Sequence, residues 1–252
     1  MPATDLTIEI PMTEPKLVTI KIPTEVHLGF LDRTIEIHWN NHALLMTFAW
    51  FVLVPVAILA IRYFKPLPTA YGIARDTGRF DRRLLWWTIH WALLYAAIGL
   101  SLASTVIAMV VSQGFSGTVH AVFGLAATAM GCMQIVSAWL RGSHGGKHGT
   151  SSDPERPETW HGDHYDMTPQ RRWFEAYHRA AGHLTPALAL AAVASGLLQY
   201  WVTAAAFIVG AAVVLGLLLM VVCEGFDMRQ DTYRSVYGNH PDHPYNKARA
   251  GR

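Results

Sequence analysis

Acidic and basic residues are missing from this chain in blocks. No Asp, Glu, Lys or Arg occurs from Leu84 to Leu140, from Ala180 to Val222, or from Ala43 to Ile61. A helix that crosses the roughly 30 Å hydrocarbon layer of a bilayer needs about 20 apolar residues. The longest block has room for two such helices, broken at the polar stretch Ser112-Gln113-Gly114-Phe115-Ser116-Gly117. The second block also holds two, broken near residues 199–203. The expected spans are residues 42–62, 84–111, 119–140, 174–200 and 203–223. A chain of this length has no outer layer in which a soluble fold would bury five such helices.

Composition agrees. Hydrophobic residues make up 52% and charged residues 15%, against about 25% charged in ordinary soluble domains. That excludes a disordered chain and argues against a soluble globular enzyme. A net charge of +2 and the absence of a nucleic-acid motif leave no nucleic acid among the expected partners. Cys132 and Cys223 lie in apolar runs and read as packing residues, with no disulfide framework and no C-x-x-C-H haem attachment.

Lys and Arg set the expected orientation. Residues 1–41 carry Lys16, Lys21 and Arg33 against six acids. The loop 62–83 carries six basic residues, among them Arg79, Arg82 and Arg83, and the loop after the third span and the C-terminal tail are also basic. The turns after the second and fourth spans have none. The N-terminus is therefore expected outside, and the long loops and tail in the cytoplasm. Trp86, Trp87, Trp173 and Trp201 fall near helix ends, as interfacial aromatics do.

Residues 1–37 lack the apolar core of a cleavable signal peptide. Leu6–Ile10, Leu17–Ile22 and Thr34–Ile37 alternate as strands do, separated by prolines. Three parts follow: an external segment 1–37, which reads equally as an irregular tail or as a segment that pairs with a partner protein, a membrane domain 38–223, and a cytoplasmic tail 224–252. No sequence repeat at a fixed period is evident.

Histidines carry the chemistry. Ionisable groups inside a membrane are costly and usually functional. His42 opens the first span, His90 lies about two turns into the second, His120 opens the third and His178 lies about one turn into the fourth. Consecutive spans are antiparallel, so His42 and His120 share the outer side and His90 and His178 the inner side. Each pair would hold one haem iron through imidazole nitrogens. The two irons would lie very roughly 20 Å apart along the membrane normal, at 1.5 Å per residue. Gly124 and Gly182 follow His120 and His178 by four residues, on the same helix face, leaving room for a flat macrocycle. Small residues also serve close helix packing in membranes. Zinc catalysis would want three ligands and an open position. A proton relay would want carboxylates, and none occurs from Leu84 to Leu140 or from Ala180 to Val222. The expected fold class is thus all-α integral membrane: five transmembrane helices with a four-helix haem-binding bundle and two haem b groups.

These residues resemble the cytochrome b561 family. His42-Ala43-Leu44-Leu45-Met46 with Ala49-Trp50 and Pro55, then Trp87-Thr88-Ile89-His90, are similar to its first two core helices. His120 with Gly124, Gln134-Ile135-Val136 and Leu140-Arg141 are similar to the third, and Tyr177-His178 with Gly182 and Gly196-Leu197 to the fourth. The match covers about residues 38–200. The resemblance implies two bis-histidine b haems and transmembrane electron transfer, with donors such as ascorbate and acceptors such as ferric iron. Many members have six spans. Five match the membrane part of members fused to an external DOMON domain, which 37 residues are too few to form. The family's ascorbate sites use basic residues near the inner haem, a role open to Arg79, Arg82 and Arg83. A rival resemblance, through Ile89-His90-Trp91, is to bacterial respiratory cytochrome b subunits that reduce quinone. The alternative function is accordingly an electron-transfer or anchor subunit of a larger redox complex in a bacterial inner membrane. Membrane lipid, an external redox partner, and a small-molecule donor or quinone are the expected partners.

The remaining histidines read differently. His38, four residues before His42, is an alternative outer ligand. His183 points away from His178 by about 140° and would make a core hydrogen bond or line a haem edge. His144, His148, His161 and His164 lie in a Gly/Ser/Asp/Pro-rich loop, and His240 and His243 in the tail. Both sets read as solvated, with metal binding the alternative.

Overall fold

The computed structural model describes residues 6–10, 18–22, 25–28, 32–70, 72–73, 77–142, 168–201, 203–242 and 246–247. Five helices are long and apolar enough to cross a membrane: Trp39–Tyr63, Leu85–Val111, Val119–Trp139, Pro169–Gln199 and Ala205–Gly225. They make this an integral membrane protein, all-helical through its spans.

The first span is compound: α1 (Trp39–Phe48), a π-helical turn (Ala49–Leu53) and α2 (Val54–Tyr63). Pro55 explains the turn. Proline has no N–H to give and its ring crowds the carbonyl four residues back. The backbone widens ahead of it, and Val54 N donates to Ala49 O, five residues earlier. A π turn adds one residue to a helix, and that extra residue matters below.

The other spans are α3 (Leu85–Val111), α4 (Val119–Trp139), α5 (Pro169–Gln199) and α6 (Thr203–Gly225). Side-chain caps mark where α1, α4 and α5 start. His38 caps α1: its Nδ1 accepts from Asn40 N at 3.2 Å. Thr118 and Thr168 cap α4 and α5 through their hydroxyl oxygens. Pro169 in the first turn of α5 needs no partner for its nitrogen. This cap starts the fourth span five residues before the expected 174, so His178 lies about two and a half turns in, not one.

The spans form two helical hairpins. The first span packs along α3, and α4 packs along α5. A turn at residues 112–118 joins the hairpins, with Gln113, Gly114 and Gly117 at positive φ. Gly131 lets the hairpins meet: a Cβ there would sit 2.1 Å from Ile98 Cδ1. Ala49, Trp50, Val54, Ala97, Ile98, Ala127 and Ala189 form the core at mid-height. Helix α6 lies at the edge, mostly exposed and apolar on every side, as a lipid-facing helix is. Arg62 Nη2 and Tyr63 Oη donate to Glu224 Oε1 at 2.6 and 2.9 Å and pin its C-terminal end.

The chain after α6 folds back onto the loop between α2 and α3. Ile73 N donates to Val236 O, Asn239 N to Thr69 O and His240 N to Ala70 O. Gly72 and Gly238 both have positive φ, and a Cβ on either would sit 2.3 Å from a carbonyl oxygen of the other strand. A short helix, α7 (Thr232–Tyr237), places the Tyr233 hydroxyl 2.7 Å from both oxygens of Glu175 near the start of α5.

Ahead of the spans lie two antiparallel hairpins. β1 (Leu6–Ile10) pairs with β2 (Val18–Ile22), and β3 (Glu25–Leu28) pairs with β4 (Arg33–Glu36), Val26 opposite Ile35. β3 has no counterpart among the strands expected from sequence. Trp86 also departs from expectation. It is 4% exposed and donates Nε1 to Arg83 O, so it faces the protein, while Trp87, Trp173 and Trp201 are exposed.

Candidate functional site

The histidines meet as two pairs, one at each end of the four-helix core. His42 on α1 faces His120 on α4 with ring centres 6.0 Å apart. His90 on α3 faces His178 on α5 with ring centres 6.4 Å apart. The rings of each pair are nearly perpendicular, at 81° and 82°. An imidazole nitrogen sits about 2 Å from a transition metal it binds, so two imidazoles on opposite sides of one metal have ring centres roughly 6 Å apart. Both pairs have that separation.

Each ring is held by its other nitrogen. His90 Nδ1 lies 3.1 Å from Ala57 O, His120 Nδ1 2.8 Å from Ala192 O, and His42 Nδ1 3.0 Å from Ser104 O. A carbonyl only accepts, so Nδ1 carries the hydrogen and Nε2 keeps its lone pair. His178 Nδ1 lies 2.6 Å from Gln134 Oε1. Metal-ligating histidines are oriented in this manner, the second N–H fixing both tautomer and ring direction.

Two of the acceptors also hold the backbone of the histidine they orient. Ser104 Oγ donates to His42 O at 3.0 Å, and Gln134 Nε2 donates to His178 O at 3.1 Å. Aromatic rings complete the walls: Trp39 beside His42, Trp87 beside His90, and Phe174 stacked on His178 at 5.1 Å.

The layout repeats. Each of the first four spans carries one histidine at one level and one acceptor at the other. Ser104 is fourteen positions after His90, Gln134 fourteen after His120, and Ala192 fourteen after His178. At 1.5 Å per residue, fourteen positions put the two levels about 21 Å apart. In the first span the separation from His42 to Ala57 is fifteen, and the residue added by the π turn accounts for the difference. The hydrogen bonds run within a hairpin: first span with α3, α4 with α5. The ring pairs run between hairpins. Each candidate centre therefore sits on the seam.

The glycines fit a flat occupant. A Cβ on Gly124 would meet nothing within 4 Å, and one on Gly182 would meet only Gln134 Nε2 at 3.7 Å. Gly182 also lies four residues before Pro186, whose ring crowds that carbonyl. Gly196 has a different role. A Cβ there would sit 2.7 Å from His120 Nδ1, so glycine is what admits the ring.

Sequence reasoning did not single out Ser104 or the Ala57 and Ala192 carbonyls, and it gave Gln134 and Gly196 no role. Ser104 and Gln134 had a visible signal, as polar side chains within apolar spans. Backbone carbonyls have none. His38 is occupied as a helix cap, not paired across the bundle. His183 is exposed and makes no core hydrogen bond among the described residues. His144, His148, His161, His164 and His243 lie outside the described residues. No group of three or more His, Cys, Asp or Glu suited to a metal occurs among the described residues, so the candidate ligand sets are two-membered.

Arg82 and Arg83 line a cavity with Phe64, Pro66 and Asp81, just ahead of the helix that carries His90; Arg79 lies outside that lining. Arg83 Nε lies 3.1 Å from Asp81 Oδ1, and this guanidinium holds the Asp81 carboxyl below its ordinary range.

No family model matches the chain, and no solved structure matches it. One curated protein of Arabidopsis thaliana, a cytochrome b561, DM13 and DOMON domain-containing protein, is 31% identical over 101 residues. The match takes in 40% of this chain, which spans only about 10% of that protein's length. Together, this partial likeness and the five apolar helices are compatible with a cytochrome b561-like membrane domain.

Proposed function

We propose that this chain moves electrons across a membrane through two b-type haems, one held by His42 and His120 and the other by His90 and His178. The observation that carries the reading is the double pairing: two facing imidazoles at metal-bridging separation at each level, each with Nδ1 already committed. The partial likeness to a protein named for cytochrome b561 supports it.

Haem held by these four histidines would supply one-electron redox chemistry. The protein's part is structural and electrostatic. Ser104, Gln134 and the Ala57 and Ala192 carbonyls hold the imidazoles in the tautomer that binds metal. Gly124 and Gly182 leave lateral room. The apolar spans keep water from the centres. In the orientation expected from loop charge, the His42–His120 level is external and the His90–His178 level faces the cytoplasm of a bacterial inner membrane.

A second reading makes the chain the electron-carrying subunit of a larger complex. It is favoured by the N-terminal strands, because an isolated two-stranded hairpin is marginal in water and two separate ones precede the first span. Docking on an external redox partner would stabilise both. The donor is then that partner, and otherwise a small molecule or quinone.

The test is haem b per chain by pyridine haemochrome, on wild type and on single alanine variants of the four histidines. Two haems, with each variant losing one, are expected. Colourless protein made with ample haem overturns the reading in favour of a haem-free transporter or structural subunit. A partner that co-purifies and is lost on deleting residues 1–37 selects the subunit form.

A further inference from the structure

The turn at residues 112–118 joins the two hairpins directly, and it lies at the His42–His120 end of the bundle. The connections from α2 to α3 and from α4 to α5 each stay within one hairpin. Chain order therefore leaves the seam open at the other end, where His90 of the first hairpin faces His178 of the second. Trp139 Nε1 donates to Tyr95 Oη across the seam there, at the exposed surface. The C-terminal segment also reaches across.

Between Asp231 and His240 the chain grips both halves. On the first hairpin, Lys65 Nζ donates to Thr232 Oγ1 at 3.0 Å. Val236, Asn239 and His240 hydrogen-bond through their backbones to Ile73, Thr69 and Ala70. This close approach depends on Gly238, where φ is +100° and a Cβ would sit 2.3 Å from Ala70 O. On the second hairpin, the Tyr233 hydroxyl donates to the Glu175 carboxylate at 2.7 Å. Asp231 caps α7 at Tyr233 N and Arg234 N, and Ser235 on that helix is buried, so the piece between the two grips is itself ordered and packed.

The grip on α5 leads to a candidate ligand. Glu175 Oε1 accepts from Arg171 Nε at 3.0 Å. The Arg171 guanidinium lies over the Phe174 ring, 5.1 Å from its centre, and Phe174 stacks on His178.

We propose that residues 231–240 form a strap that positions the His90–His178 pair, with Tyr233 its anchor on the second hairpin and Gly238 its anchor on the first. The strap closes the end of the seam that the 112–118 turn leaves open, and holds these imidazoles at bridging distance before any metal group arrives. A site already in its bound geometry loses less free energy to ordering when it binds. A tail docked for general stability would act on both ends alike. The inference rests on the proposed haem function for its consequence, slower haem loss, though not for the strap itself.

The test uses full-length protein with Cys132 and Cys223 replaced by alanine and spin labels on one introduced cysteine pair at a time. Leu85→Cys with Arg172→Cys reports the His90–His178 end, and Leu44→Cys with Val119→Cys the other. Each pair spans the seam at exposed positions. Pulsed electron paramagnetic resonance gives the distance distributions in protein made without haem. Haem loss to apomyoglobin is followed in unlabelled, haem-loaded protein, in His42→Ala and His178→Ala backgrounds that leave one centre each. Tyr233→Phe and Gly238→Ala should each broaden the 85–172 distribution and leave the 44–119 distribution alone. Each should speed haem loss from the His90–His178 centre roughly tenfold, as loss of an outer-shell partner does, and not from the other centre. A strap cut at either anchor is already undone, so the double variant should be no worse than the more severe single one. Unchanged widths at both ends, equal broadening at both, additive effects in the double variant, or broadening with no change in haem loss overturns the proposal. Strap-dependent widths in protein that takes up no haem would keep the strap and remove the haem reading; two haems with strap-independent widths would do the reverse.

Discussion

Ser104 holds His42 at both ends: its hydroxyl oxygen lies 2.9 Å from the ring Nδ1 and donates to the His42 carbonyl at 3.0 Å. Gln134 grips His178 in the same double manner, but the two clamps differ in redundancy. The Ser104 backbone carbonyl also accepts from the His42 ring, and it survives truncation of the side chain.

That difference sets a first prediction. Loss of an outer-shell partner typically costs 10–100-fold in metal affinity. Ser104→Ala should fall near the low end of that range at the outer centre and Gln134→Leu near the high end at the inner one. Haem retention during stepwise competition with apomyoglobin, followed by absorbance, ranks the two.

Gly196→Ala should damage the outer centre although residue 196 bonds nothing there. The added methyl would press on His120 Nδ1 at 2.7 Å, turning the ring off its axis toward His42. Half the haem should be lost, with the inner spectrum intact. Gly196→Ala protein with both haems and unshifted potentials would show that the ring tolerates the methyl.

Tyr233 supplies a pH prediction. Burial, then the hydrogen bond to Glu175, raises its pKa above the ordinary phenol range. The folded state therefore holds this proton more tightly than the unfolded state. The associated stability is complete below about pH 10, the unperturbed phenol value, and is lost as pH rises through the raised one. In an alkaline absorbance titration, the difference between wild type and Tyr233→Phe should be one phenol ionising later than the exposed tyrosines. A difference centred at the ordinary value would mean that α7 does not stay docked on α5.

Glu224→Gln should weaken the attachment of α6 and leave the centres alone. Partly exposed ion pairs contribute about 0–1 kcal/mol, and all eight ligating and orienting groups lie outside α6. The expected result is unchanged haem content with faster protease cleavage in the tail.

The spans and the pairing of His42 with His120 and His90 with His178 were legible because both follow from one-dimensional signals. Charge-free blocks mark the spans, and antiparallel alternation decides which histidines share a side. The early start of α5 was hidden by Arg171, Arg172, Glu175 and Arg179, which end the apolar run before the helix ends. Thr168-Pro169 was the cap signal that overrode them. Trp86 reads as interfacial by position, yet its indole N–H finds the Arg83 carbonyl and turns inward. The repeated spacing from histidine to acceptor is invisible in the sequence because two of the four acceptors are alanine carbonyls, which leave no mark in a side-chain pattern.

The seam between the hairpins has a consequence for how the molecule is made. Every ring-to-acceptor bond closes within one hairpin, so each half contains all that it needs to aim its own imidazoles. Neither half carries a facing pair. On the proposed reading, His42 and His90 from the first hairpin and His120 and His178 from the second would have to come together before either haem could be held. A cofactor held this way would rivet the two halves together, and apoprotein should be looser along the seam than within either hairpin.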